Sequence, residues 1–216
     1  MKTIDLDTWA RREHFEFFRS FELPFFNICA ELDVTALHEL CSRDGGPSFF
    51  VASIFLSQRA VNDVVEFRYR IRGDVVVEHD TVDAGSTVLL PDDSFAFAYF
   101  EYRADFSDFE RHARHVLARR KRLRGMHPEP ERDDLIHYSV IPWIAFTSFK
   151  HARKLGLDDS IPKIVLGKHH ASGDRRVMPI SVEVHHSLMD GLHLGRYLGR
   201  FQEYLDRSRS VCGLAP

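Results

Sequence analysis

Cysteine is scarce in this chain, with three among 216 residues, and Cys29, Cys41 and Cys212 have neither metal-site spacing nor the even count of a disulfide framework. The first residues lack the apolar core of a signal peptide, and no later apolar run is long enough to span a bilayer. The net charge of −3 gives no global attraction to nucleic acid or to an anionic membrane. We therefore expect a cytoplasmic protein with no nucleic-acid or membrane partner.

Familiar catalytic motifs are also absent. No H-E-x-x-H motif of zinc proteases occurs, and no G-x-S-x-G elbow of serine hydrolases. The tandem pairs His169–His170 and His185–His186 would point successive rings to opposite sides of a strand, so each pair could offer only one metal ligand. The sequence therefore predicts no bound metal and no serine nucleophile.

The composition that is present fits a globular protein. Hydrophobic residues make up 44% of the chain, and its 18 phenylalanines suggest a core or a pocket lined with rings. No internal repeat is visible, and loops such as 45–47 and 127–130 are too short to link domains. We expect a single domain over residues 1–216.

Hydrophobic periodicity predicts a mixed α/β layer architecture. Helices are expected from Asp7 or Thr8 to about 19, over 49–63 after Ser48 as N-cap, over 107–124, and over 192–207. Strands are expected at 75–77, 87–90, 94–102, 136–140, 143–149, 164–166 and 177–184.

The most informative motif is H-H-x-x-x-D-G, which spans His185 to Gly191 between a predicted strand and a predicted helix. A neutral imidazole at His186 can take a proton from a hydroxyl, and Asp190 can hold the local fold. A purely structural interpretation makes the histidines satisfied hydrogen-bonding groups and Asp190 a helix cap. The complete motif in this position favours the chemical interpretation.

Two further features remain open on pattern alone. Ser148 lies in an aromatic segment, where its spacing favours a hydroxyl bonded to backbone over a donor to a developing oxyanion. The cationic residues of 111–124 accompany an apolar stripe, which is typical of a helix with a solvated basic face. Attraction of a polyanionic cofactor is the alternative use of that face.

Three segments together resemble chloramphenicol acetyltransferase of the CoA-dependent trimeric type: 9–17, 142–149 and 185–191. H-H-x-x-x-D-G also occurs in dihydrolipoamide acyltransferase cores, in condensation domains and in carnitine acyltransferases. The three segments in this order, in a chain without a lipoyl or carrier domain, are more specific. The resemblance covers the chain from Trp9 to about Leu205.

The resemblance implies a two-layer α/β sandwich, in which helices pack on one face of a mixed β-sheet, and a homotrimer with active sites at subunit interfaces. It implies that His186 is the general base that deprotonates an acceptor hydroxyl as this attacks the thioester of acetyl-CoA. Ser148 would then hydrogen-bond the tetrahedral intermediate. Asp190 would pair with Arg11 and hold the turn that aims His186, without relaying charge.

The resemblance also assigns binding residues. The acceptor would contact Phe17, Phe18, Leu23, Phe95, Phe97 and Val165. Of these, Phe18 stands where the family has a tyrosine, Val165 replaces a threonine, and Phe97 replaces a smaller residue. On the cofactor side Lys168 matches a family lysine, while His169 replaces an aromatic residue.

The expected function is acetyl-CoA-dependent O-acetylation of chloramphenicol, a resistance activity. One alternative is an acyltransferase of the same fold that uses a different hydroxyl or thiol acceptor. Another is a catalytically inert homologue that only binds its ligand.

Overall fold

The computed structural model describes residues 1–123, 125–153 and 159–214. The strands are β1 (Lys2–Thr3), β2 (Phe25–Asp33), β3 (Tyr69–Arg72), β4 (Val75–Glu78), β5 (Asp83–Leu89), β6 (Phe95–Phe100), β7 (Leu135–Val140), β8 (Lys163–Leu166), β9 (His170–Ser172) and β10 (Arg175–His185). The helices are α1 (Arg12–Arg19), α2 (Thr35–Cys41), α3 (Phe49–Asp63), α4 (Phe106–Arg120), α5 (Gly191–Asp206) and α6 (Ser208–Val211), with a 3₁₀ turn at Val65–Arg68.

The main sheet is mixed and runs in the order β2-β10-β8-β7-β5-β6, with β9 paired to β10. Strands β5, β7 and β8 are parallel, whereas β10 is antiparallel to both β8 and β2. Because β10 runs against β8, Glu183 near its end lies opposite Lys163 at the start of β8. Residues that follow β10 therefore lie beyond the opposite end of the strands from residues that follow β7 and β8. Strands β1, β4 and β3 form a second, three-stranded sheet.

The core lies between the sheet and the helices. Alternate residues of β10 (Met178, Ile180, Val182 and Val184) belong to one apolar cluster with the buried faces of α3 and α5. Helix α3 is buried along most of its length, as its apolar sequence requires. The intervening residues of β10 occupy the other face, where Ser181 accepts a hydrogen bond from Asn27. The expected two-layer α/β sandwich is confirmed.

Most predicted elements are present. Helix α3 has the predicted bounds, although the side chain of Ser48 makes no capping hydrogen bond. Helix α4 begins one residue early and ends at Arg120, and position 124 lies outside the described residues. Strand β2 and helix α2 were not predicted, and neither were the short strands β1, β3 and β9.

Two predictions were wrong. The first helix begins at Arg12 and not at Asp7 or Thr8, because a turn precedes it and the Asp7 carboxylate binds the Arg12 side chain instead of capping a helix. Residues 143–149 are not a strand, since this segment joins no ladder. Its carbonyl at Ile144 accepts one hydrogen bond from the Lys168 N–H. Among the described residues, no helix is both long and apolar enough to cross a bilayer.

Candidate active site

The H-H-x-x-x-D-G motif folds into a tight turn between β10 and α5. The N–H groups of Leu188 and Met189 both donate to the carbonyl oxygen of His185. The side chains of Leu188 and Met189 are fully buried and anchor the turn in the core. Asp190 is the N-cap of α5, and its carboxylate accepts the Leu192 N–H at 3.0 Å. The turn therefore presents His186 on a rigid support.

The tautomer of His186 follows from its partner. Its Nδ1 atom lies 3.0 Å from the carbonyl oxygen of Met189. A carbonyl can only accept, so the Nδ1 atom carries the proton and the Nε2 atom carries the lone pair. Phe18 stacks on the imidazole with ring centroids 3.7 Å apart, and Phe26 packs against it at 4.6 Å. In the part of the chain that the structure describes, no group binds the Nε2 atom, so this lone pair is available to accept a proton.

The neighbouring His185 has a different role. It is buried, and its Nδ1 atom accepts the Ser187 N–H at 3.2 Å. Burial, reinforced by the nearby charge of Arg153, lowers the pKa of His185 to about 4. This imidazole is therefore neutral near physiological pH and packs edge-on against Phe25. The structure thus distinguishes a buried, hydrogen-bonded histidine from an accessible one.

Arg11 and Asp190 form the ion pair that holds the turn to the start of α1, with 2.7 Å between Nη1 and Oδ2. Burial alone would raise the pKa of Asp190, but the hydrogen bond and the charge of Arg11 outweigh it and hold this pKa below its usual value. Among the described residues, Asp190 makes no hydrogen bond to His186. Its carboxylate is therefore placed to support the turn and not to exchange a proton with the His186 imidazole.

Ser148 lies in an exposed part of the segment that connects β7 to β8. Close packing fixes this segment on Gly167, where an added Cβ atom would lie 2.9 Å from the Phe146 ring and 2.6 Å from Pro179. The spacing of Ser148 favoured a hydroxyl that is bonded to backbone. However, no described residue forms a hydrogen bond with this hydroxyl. The hydroxyl is free to donate to a ligand.

A cavity of about 1020 Å³ opens beyond the carboxyl ends of β5, β7 and β8. Its walls are mainly apolar and aromatic, and include Phe49, Phe95, Trp143 and Phe149. Lys121, Lys168 and His169 add cationic or ionisable groups. Burial, together with the charge of neighbouring His38, lowers the pKa of His169. A long ligand with an apolar body and an anionic end fits this combination.

The predicted acceptor residues lie in two places. Phe17 and Leu23 are exposed near the base, by 60% and 56%, and Phe18 covers one face of His186. Phe95 and Phe97 contact each other on β6, away from the core, with ring centroids 5.8 Å apart. Val165, on β8, is fully buried.

The predicted residues thus form two groups within one chain. The first, which we call the base group, contains His186, Asp190, Arg11, Phe17, Phe18 and Leu23. The second, which we call the sheet group, contains Ser148, Lys168, His169, Phe95, Phe97 and Val165. No hydrogen bond, ion pair or ring contact between described residues joins the two groups. His186 follows β10, whereas Lys168 follows β8, so the two residues lie beyond opposite ends of these antiparallel strands.

The comparisons with known proteins identify the family. The family model described as chloramphenicol acetyltransferase matches residues 1–202. The chain belongs to this family. The chloramphenicol acetyltransferase 3 of Escherichia coli is 33% identical over 205 residues, which cover 93% of this chain and 94% of that protein. A solved chloramphenicol acetyltransferase structure superposes with a TM-score of 0.84 at 30% identity, covering 94% of this chain and 99% of that one.

Membership of the chloramphenicol acetyltransferase family makes this protein an acyltransferase, as its sequence motifs predicted. A probable dihydrolipoamide acetyltransferase from Listeria monocytogenes superposes with a TM-score of 0.64 at 14% identity, over 96% of this chain and 95% of that one. At that identity the likeness concerns the fold alone. Within the described residues of this family member, no cluster of three or more histidine, cysteine or acidic residues could hold a metal ion.

Two contributors to the site of this chloramphenicol acetyltransferase family member were not predicted. His193 accepts the backbone N–H of Asp190 at 3.0 Å and lies 3.2 Å from the carboxylate of Glu66. The position of His193 at the third residue of α5 is a sequence signal that could have been read, since this is where a capping-box partner lies. The contact with Glu66 crosses from one element to another and leaves no local pattern.

Proposed function

We propose that this acyltransferase transfers the acetyl group of acetyl-CoA to a hydroxyl of chloramphenicol, with His186 as the general base. The observation that carries the proposal is the Nε2 atom of His186, which has no partner among the described residues and whose lone pair follows from the bond between Nδ1 and the Met189 carbonyl. The names of the relatives support the acceptor, since they are chloramphenicol acetyltransferases over almost the full length of this chain.

The chemistry needs one base and one oxyanion donor. The acceptor hydroxyl gives its proton to the Nε2 atom of His186 while its oxygen attacks the thioester carbonyl. The resulting oxyanion accepts a hydrogen bond from the Ser148 hydroxyl. When the carbon–sulfur bond breaks, the CoA thiolate leaves and takes the proton from His186. The products are the acetyl ester and free CoA, and the base is restored.

Arg11 and Asp190 support this chemistry indirectly. Their ion pair ties the turn that carries His186 to α1, at side-chain exposures of 13% and 33%. The base must lie within hydrogen-bonding distance of the hydroxyl that it deprotonates. A displacement of this turn would therefore lower the reaction rate even though His186 is still present.

Acetyl-CoA would occupy the cavity beyond the carboxyl ends of β5, β7 and β8. The aromatic walls fit an extended apolar arm, and Lys121 and Lys168 fit the phosphates. His169 would line the same site, beside Phe49 at a centroid distance of 5.0 Å. Arg119 and Arg120 in the last turn of α4, with Lys121 as its C-cap, would also attract the polyanionic cofactor.

The acceptor would bind against exposed and half-buried apolar side chains from both groups. Phe17, Phe18 and Leu23 lie near the base, and Phe95 and Phe97 lie on the sheet. Val165 would shape this surface from below, because it is buried. Since no hydrogen bond, ion pair or ring contact between described residues joins the base group to the sheet group, we propose a homotrimer in which His186 of one subunit works with Ser148 of the next. A cytoplasmic location would suit the three free cysteines.

Free-thiol release from acetyl-CoA tests the proposed function. Purified protein is expected to release thiol rapidly when chloramphenicol is present and slowly when it is absent, and His186→Ala is expected to abolish the difference. Turnover with another alcohol but not with chloramphenicol would overturn the acceptor assignment; the apolar Phe18 beside the base makes that outcome worth testing. Absence of thiol release with every acceptor would overturn the enzymatic proposal.

A further inference from the structure

We infer that Glu66 and His193 are positioning residues that select the tautomer of His186 through one shared peptide group. The inference rests on the proposed role of His186 as the base. It concerns residues that lie outside the H-H-x-x-x-D core of the motif or in a different element altogether. Two groups, the His193 ring and the peptide between Met189 and Asp190, connect Glu66 to His186 in a single line.

The line begins with Glu66, in the 3₁₀ turn after α3. Its carboxylate oxygen Oε1 lies 3.2 Å from the Nε2 atom of His193, and the two side chains are only 13% and 7% exposed. A carboxylate can only accept, so it holds the proton of His193 on Nε2. Burial alone would raise the pKa of Glu66, but the contact with His193, together with a backbone hydrogen bond and the charge of Arg196, outweighs it and lowers this pKa. Glu66 also lies 3.8 Å from Arg196, a longer and more exposed contact.

With its proton on Nε2, His193 can accept at Nδ1. The Asp190 N–H donates to this atom at 3.0 Å. The Asp190 Oδ1 atom is equally close to the same nitrogen. A hydrogen bond between those two would require a proton on Nδ1, which would then face the Asp190 N–H. Because the peptide proton cannot leave, Nδ1 is the acceptor, and Oδ1 takes the Leu192 N–H instead.

The peptide group between Met189 and Asp190 links the two imidazoles. Its N–H donates to His193, and its carbonyl oxygen accepts the Nδ1 proton of His186 at 3.0 Å. If His193 carried its proton on Nδ1, it would repel this N–H and turn the peptide away. The Met189 carbonyl would then no longer select the tautomer of His186, and part of the population would carry its proton on Nε2, where it cannot act as a base.

The test is a double-mutant cycle on Glu66 and His193 with two readouts. The ¹⁵N NMR shifts of the His186 ring report its tautomer without any substrate, and steady-state kinetics report kcat and KM. Glu66→Met removes the acceptor at similar volume. It is expected to produce a mixture of His186 tautomers and to lower kcat by about tenfold with unchanged KM values, as for other partners that orient an imidazole.

Arg196→Gln is the matched control, because it removes the longer contact of Glu66 and leaves His193 in place; it is expected to keep the single His186 tautomer. His193→Ala removes the acceptor for the Asp190 N–H, so it is expected to give the same mixture of tautomers and the same loss of kcat as Glu66→Met. Adding Glu66→Met to His193→Ala is expected to have no further effect, because Glu66 acts only through His193. If Glu66→Met does not fold, Glu66→Gln replaces it, with a smaller effect in the same direction because glutamine can donate as well as accept.

A lower melting temperature for Glu66→Met with an unchanged His186 tautomer and unchanged kcat would overturn the inference, because the network would then only stabilise α5. An additional loss in the double variant would overturn it too. The NMR result does not depend on which acceptor is used, so a failure of the proposed function remains distinguishable from a failure of this inference.

Discussion

The ring of Phe18 lies flat on the imidazole of His186, with 3.7 Å between their centroids and 12° between their planes. This contact joins α1 to the turn that carries His186, as the Arg11–Asp190 ion pair does about two helical turns earlier. Helix α1 therefore holds both the turn and the ring of His186, the proposed base. A proton acceptor that is held in this way loses little orientational freedom during the reaction.

Phe18→Ala is expected to lower kcat by about tenfold, because the imidazole gains freedom to leave its reactive orientation. The KM for acetyl-CoA is expected to stay unchanged, since the proposed cofactor site lies at the other end of the strands, away from Phe18 in the same chain. Steady-state kinetics with each substrate varied in turn check this. Phe18→Leu, whose side chain still covers part of the imidazole, is the control, and its kcat should lie between those of the wild type and Phe18→Ala. An effect confined to the KM for acetyl-CoA would contradict the orienting role.

Ser148→Ala is expected to lower kcat by about 10²–10³-fold, the usual effect of removing one oxyanion donor. Because the hydroxyl is exposed and has no partner among the described residues, the melting temperature should change little. Ser148→Cys, which keeps only a weak donor, serves as a comparison. Kinetics and thermal unfolding measured on the same preparations would refute the role if activity survived.

Asp190→Asn separates the ion pair from the helix cap, because asparagine also caps helices well. The exposures of 13% and 33% place this pair between a surface pair and a buried one, so we expect a loss of about 1–3 kcal/mol at pH 7. The folded-state pKa of Asp190 is lowered, so its contribution exists above the unfolded value and is lost as the pH falls through the folded one. Urea unfolding at pH 7 and pH 3 should show the difference between the proteins shrinking at pH 3.

His185 is expected to weaken the fold in acid. Its folded pKa of about 4 lies below the unfolded value of about 6.5, so the unfolded chain binds a proton first as the pH falls. The contribution of His185 to the free energy of unfolding is therefore fully present above about pH 6.5. It declines toward pH 4, by up to about 3 kcal/mol. His185→Asn should lose less stability over that range in urea titrations. Parallel curves for the two proteins would contradict the assignment of a buried neutral ring.

Local pattern predicted those elements whose contacts are local. Helix α3 was found because its apolar residues repeat at helical spacing. Strand β2 alternates Phe26, Ile28, Ala30 and Leu32 toward the core, so its sequence carries the period-two signal of a half-buried strand. The aromatic residues of 143–149 have the composition of a strand. In the structure this segment packs Phe146 over Gly167 and belongs to neither sheet.

The site was harder to predict than the fold, because its contacts join distant residues. Arg11 and Asp190 are 179 positions apart, and family resemblance suggested their pairing where composition and spacing could not. The choice of Nε2 as the basic nitrogen depends on the Met189 carbonyl, which belongs to the backbone and has no sequence signature. Likewise, the separation of the base group from the sheet group follows from the antiparallel pairing of β10 with β8.

Subunit complementation tests most directly whether His186 of one chain works with Ser148 of another. His186→Ala and Ser148→Ala chains, each weakly active or inactive alone, would be unfolded, mixed in equal amounts and refolded together. If each site takes one residue from each neighbour, about one quarter of the sites in random trimers regain both groups, so activity should approach a quarter of the wild-type value. Chains that carry both substitutions, mixed with His186→Ala chains, are the control and should recover nothing. A mixture no more active than the mean of its two components would contradict a site shared between subunits.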